Sequence, residues 1–234
     1  MEFEFPEPAW QSVVLEPEVR RVLGQANESA EGPLGDRMAV ADPWMRIVGE
    51  DEQLDDRTRA FLRNEATGFR FCAVEFALTF KPENGEYFAS AWLQLTMRSN
   101  DTSEASPEPV AWSMEPLQQL DSRTITKGFK IGPDLKFAPL ELDVHSEYSQ
   151  SQSFLEGLYL MQTNPAWRFT KTNANAIRGS YVLRLVARLP GAVPVIGKLG
   201  IGAEVQRKVL GIPRPVAYQV RLPEHLQKGL TLPT

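Results

Sequence analysis

The sequence predicts a mainly β protein: an antiparallel β-sandwich or distorted open barrel behind a short mixed helix and loop segment. Three observations predict it. From Gly68 onward, apolar residues recur with a period of two. Gly, Pro, Asn and Ser punctuate these runs. No strand–helix–strand rhythm interleaves them, and alternation with one polar face is the mark of antiparallel sheets rather than a buried parallel one. The 42% hydrophobic and 9% aromatic content is enough to fill a core.

The first 66 residues read as an acidic helix and loop segment that packs on the β domain of residues 67–234. Glu16–Gln25 has acids at its start and Val19, Val22 and Leu23 on one face, which suits a short helix. Residues 27–36 are a Ser, Gly and Pro-rich loop. The acidic run Glu50–Asp56 precedes a second helix over Arg57–Asn64. In the β domain, Phe71–Phe80 places Cys72, Val74, Phe76, Leu78 and Phe80 on one face. Tyr87–Met97 does the same with Tyr87, Ala89, Ala91, Leu93, Leu95 and Met97. Asn84-Gly85 between them is a hairpin signal, so the two are expected to pair. Shorter strands follow at Val110–Met114, Thr124–Ile131, Leu140–His145 and Trp167–Thr170, while Phe154–Met161 reads as a strand or a short helix. Longer ones follow at Gly179–Leu189, Ile201–Leu210 and Val216–Leu222.

Charge is segregated along the chain. Residues 164–234 carry 11 Lys and Arg against two acids, a net of +9, whereas residues 1–66 carry 15 acids and 7 bases, a net of −8. Parity puts Arg184, Arg188, Lys208 and Arg221 on the polar faces of the last strands. Trp167, Arg168, Lys171 and Arg178 lie close by in sequence. If those strands are neighbours, Arg184, Arg188, Lys208 and Arg221 share one basic face with the other four beside it, a candidate binding surface. Three readings compete: a solvated face without a dedicated partner; a protein contact, with a partner, a second copy or the acidic N-terminal segment as an internal clasp; and nucleic acid or anionic lipid. The acidic pI of 5.3 argues against nucleic acid as the partner.

Catalytic signals are sparse. Glu141, Asp143 and His145 would project from one strand face, a pattern open to acid–base or metal chemistry but also that of an ordinary wet strand face. Cys72 alternates with core residues and reads as a small buried hydrophobe. No zinc spacing and no G-x-S-x-G elbow is present. Gly191–Leu199 approaches a phosphate-binding loop, yet five residues rather than four separate its glycines and Leu199 stands where Ser or Thr is needed. Neither a cofactor nor a metal is expected. The apolar 192–201 stretch reads as a loop that plugs the sheet or meets an anionic membrane. The start of the sequence has no secretory pattern and there is one cysteine, so a reducing, cytoplasmic setting is expected, and the Arg excess over Lys suits a bacterial source. The function these features favour is a non-enzymatic binding or adaptor module. Peripheral membrane association and an enzyme centred on Glu141, Asp143 and His145 are the alternatives.

Overall fold

The computed structural model describes residues 7–18, 21–22, 25–26, 32–49, 56–100, 107–120, 124–125, 153–191, 193–209 and 212–233. The N-terminal part contributes β1 (Trp10–Pro17), β2 (Arg21–Val22), β3 (Gln25–Ala26), β4 (Leu34–Ala41), β5 (Trp44–Val48) and α1 (Asp56–Glu65). Next come β6 (Phe69–Phe80), β7 (Glu86–Ser99), β8 (Val110–Glu115), β9 (Gln118–Leu120) and β10 (Thr124–Ile125). The rest is β11 (Ser153–Leu158), β12 (Ala166–Thr170), β13 (Gly179–Pro190), β14 (Val195–Val209), β15 (Ile212–Arg221), α2 (Glu224–Gln227) and β16 (Leu230–Leu232). Every pairing among them is antiparallel.

One sheet nearly closes into a barrel. Its path runs β7–β14–β15–β1–β4–β6–β13–β8, and β9–β11–β12 leads from the end of β8 back to β7. The segment before β12 fills the seam. Ala111 of β8 exchanges backbone hydrogen bonds with Met161 and Gln162, and the amides of Leu95 and Met97 in β7 donate to Pro165 and Thr163. Full closure is one way a sheet removes its exposed edges.

Alternation explains what lies inside. Leu183, Leu185, Ala187 and Leu189 of β13 point inward with Ala91, Leu93, Leu95 and Met97 of β7 and Cys72, Val74, Phe76 and Leu78 of β6. Phe80, Phe88, Phe154, Phe169 and Tyr181 interlock at centroid distances of 4.9–6.4 Å. Burial drives the Cys72 thiol up to about 12, as fits an inert core residue. β6 is apolar on both faces because its outer side is covered too. Phe71 and Ala73 pack there with Val186, Val48 of β5 and Leu62 of α1.

Several sequence expectations are corrected. The described residues of Glu16–Gln25 are not helical: they belong to β1, β2 and β3 or follow β1 directly. Val13 and Leu15 alternate inward, and β1 sits between β15 and β4 within the sheet. The N-terminal segment therefore contributes strands to the barrel wall, and α1 is its helix among the described residues. β6 and β7 are the two long strands the periodicity predicts, but they do not pair. β6 takes β4, β5 and β13, while β7 takes β12 and β14. Gly85 does turn the chain, with φ of 84°, but the burial of both faces of β6 overrides the local hairpin signal. In β8 a register shift against β13 breaks the alternation. Ala111 and Met114 face the barrel core, and Trp112 packs with Phe61 and Phe71 outside. The described part of the apolar 192–201 stretch is mainly strand β14 and not a loop, with Val195, Leu199 and Ile201 buried. Arg70 anchors its start by donating to the carbonyls of Pro190, Gly191, Val193 and Pro233. The Glu141, Asp143 and His145 constellation and most of the acidic run before α1 lie outside the described residues.

The ladder position of β1 generates a prediction opposite to that of an electrostatic clasp. Amide exchange protection at Val13 and Leu15 will be the same at low and high salt, because hydrogen bonds and apolar burial hold this strand. Salt-dependent loss of protection would restore the clasp. Leu15, 0% exposed, truncated to Ala will cost about 2–5 kcal/mol in denaturant unfolding.

Candidate binding surface

Among the described residues the barrel interior is packed with aliphatic and aromatic side chains, and the open surfaces lie on the outer wall and at the rims. The outer face over β5, β6 and β13 is occupied by α1. On the side formed by β12, β7, β14, β15 and β1, the single turn of α2 packs against β14, with Gln227 beside residues 198–201.

The eight cations and aromatics singled out from sequence do not assemble into one surface. β13 borders β6 and β8, and β15, β1, β4 and β6 separate it from β14, so Arg184 and Arg188 lie away from Lys208 and Arg221. Trp167 is 0% exposed: its ring meets Phe76 and its indole N–H donates 3.1 Å to the Pro116 carbonyl. Arg184 sits in register between Glu75 on β6 and Glu115 on β8, at 2.9 and 3.8 Å. Arg188 lies 3.8 Å from Glu65, with its guanidinium 3.5 Å from the Phe69 ring centre. Lys171 stands over the Tyr87 ring at 5.2 Å. The Arg178 carbonyl accepts the Tyr181 hydroxyl at 3.1 Å. Lys208 is placed by its backbone opposite Pro213. Arg168, paired with Glu156 at 2.5 Å, and Arg221, 3.3 Å from Glu16, stand on the strands of the opposite side, β12 and β15.

What that face does carry was not singled out by sequence. Trp92 of β7 lies flat on β14. A Cβ built on Gly202 would sit 2.5 Å from its indole nitrogen, and one on Gly200 would sit 3.2 Å from its six-membered ring. These two glycines form the bed on which the ring rests. Along β7 beyond it, Gln94, Thr96 and Arg98 open into a groove of about 620 Å³ completed by Glu108, Thr163 and Asn164. Across the β7–β14 ladder from Gln94 and Thr96, a depression of about 410 Å³ lies over residues 198–201 of β14. There the wall loses its ladder: β15 pairs up to Gly202↔Gln219 and β16 resumes only at Gly197↔Leu230. Glu16, Lys198, Gln219 and Arg221 rim this opening. Among the described residues, no three His, Cys, Asp or Glu side chains converge as a metal site would require.

A third charged cluster ties the barrel rim. The Glu86 carboxylate accepts from Arg37 at 2.8 Å and Arg207 at 2.7 Å, and Arg37 also reaches Glu83. Burial pushes the Glu86 carboxyl up, but the two arginines outweigh burial and hold it below its ordinary value. The stabilising form is therefore the ionised one. Its contribution is complete above the unfolded carboxyl value of about 4.3 and is lost as pH falls through the depressed folded value. Glu86→Gln will lower unfolding free energy by about 1.5–3 kcal/mol at pH 7. The difference between variant and parent will shrink in acid, and a difference independent of pH would contradict this assignment.

No protein-family model matches the chain, and no curated protein is significantly similar to it in sequence.

Proposed function

We propose that the protein is a non-enzymatic binding module that contacts a protein partner through the outer face of β14, β15 and β1. The observation that carries this reading is the break in the barrel wall at residues 198–201. It is the place on that face where backbone, charge and apolar surface are offered together. Lys198 and Arg221 flank the depression, Arg221 at 67% side-chain exposure, and Ile196 on the same strand face is 45% exposed. Large exposed apolar groups set among charges are a feature of contact surfaces. The partner surface that fits carries carboxylates opposite Lys198 and Arg221. A second copy of this chain, which is rich in acids, meets that requirement as well as another protein does. A cytoplasmic, bacterial setting belongs to the same proposal. No described helix is long and apolar enough to cross a membrane.

A photo-crosslinking residue at Gln219, beside the depression, will give a discrete adduct in the native cell. The same residue at Val182 on β13 will not. Lys198→Glu with Arg221→Glu will remove the Gln219 adduct while leaving the thermal unfolding midpoint near that of the parent. An adduct of twice the chain mass identifies self-association. A Gln219 pattern identical to that at Val182, or one indifferent to the charge reversals, would refute the contact.

A further inference from the structure

The groove along β7 is a second place on the outer wall, and different observations point to its ligand. Trp92, half-buried, rests one ring face on Gly200 and Gly202 and stands on the same face of β7 as Gln94, the first groove residue. Its indole N–H has no partner among the described residues. Residues Trp92, Gln94, Thr96 and Arg98 alternate onto one face of β7, so Thr96 lies about 14 Å from Trp92 along the strand. The groove that opens there, about 620 Å³, is lined chiefly by neutral amides and hydroxyls: Gln94, Thr96, Thr163 and Asn164. Their side chains spend no hydrogen bonds on other described residues, although each can donate and accept. Arg98 and Glu108 contribute one charge of each sign, so the lining carries no net charge.

We infer that this groove binds a neutral oligosaccharide, with one sugar ring stacked on Trp92 and its neighbours hydrogen-bonded along β7. The chemistry fits term by term. The C–H face of a pyranose carries partial positive charge and meets the negative face of the indole. Its hydroxyls need partners that both donate and accept, which amides and hydroxyls supply and a row of cations does not. Other occupants fit less well. An extended peptide adds to an open sheet edge, and β7 is paired on both sides, with β12 and β14. Nucleic acid requires a run of cations for its phosphates. A drug-like apolar ligand requires apolar walls. The inference goes beyond the protein contact proposed above and does not depend on it: the groove opens on the side of β7 toward Thr163 and Asn164, and the depression on the side of β14 toward β15.

The test is an array of neutral and anionic oligosaccharides probed with the full chain, followed by calorimetry on the hits. A neutral oligosaccharide will bind. Trp92→Ala will weaken it about tenfold or more, and Trp92→Phe, which keeps a ring, will recover part of the loss. Gln94→Ala and Asn164→Ala, both surface changes, will each weaken it several-fold, and they keep the inference testable if Trp92→Ala unfolds the barrel. Gly202→Ala, which lifts the indole from its bed, will also weaken binding. Arg221→Glu alone, on β15 and away from β7, will leave sugar binding intact, which separates failure of this site from failure of the protein contact. An array without neutral hits, hits confined to sulfated or uronic sugars, or affinity indifferent to Trp92 and Gln94 would overturn the inference.

Discussion

The barrel depends on one strand insertion. β1, near the start of the described chain, lies between β15, near its end, and β4. Without it the sheet would have two open edges along its length, and the core that β6, β7, β13 and β14 enclose would be open on one side. A contact of this sequence separation is slow to form because the loop between the partners must close first. Once formed, it turns fourteen strands into a nearly continuous wall. α1 and β5 then cover the outer face of β6 and β13, and this fixes which side of the barrel remains available to ligands.

The segregated charge of the sequence has its resolution in this wall. Acids and bases distant along the chain meet in register across neighbouring strands. Arg184 finds Glu75 and Glu115, Arg207 finds Glu86, and Arg168 finds Glu156. Glu75 is only 7% exposed, so its pairing with Arg184 satisfies a carboxylate that would otherwise be costly to bury. The pairs specify strand order and register more than they add stability, because like charges set opposite one another would penalise a slipped ladder. A basic C-terminal third thus need not make a basic patch.

Elements whose periodicity is set by one buried face were legible in the sequence. β13, the inward residues of β15 and β7 from Ala91 onward follow strict alternation, and α1 follows its charge and spacing; at the start of β7 an irregularity against β14 skips Ala89, so Phe88 faces the core in place of the expected Tyr87 and Ala89. Those governed by tertiary context were not. β1 shows only Val13 and Leu15 as inward residues, too short a run to outweigh the helix-like residues after it. The Asn84-Gly85 turn is real, yet the strands it joins separate, because turn chemistry sets local direction and not partnership. The bulge in β8 and the breaks in the ladder along β14 depend on register against strands far away in sequence. Trp92 was legible as an outward residue in principle. Its significance depends on facing Gly202 across the β7–β14 ladder, and that pairing is invisible until strand order is known.

Glycine at positions 200 and 202 has a cost that needs a reason. Each weakens strand propensity, and neither has a positive φ that would demand glycine. Packing alone is served by an aromatic ring that shields the bare backbone, but a β-branched residue at either position would serve the strand better. What the glycines uniquely permit is a tryptophan lying level with the sheet, with one face against backbone. A side chain at residue 202 would tilt the ring and close the approach to Gln94 and Thr96. The inside of this barrel is spent on its own stability, and the flat indole on the outside is the feature that stability leaves unexplained.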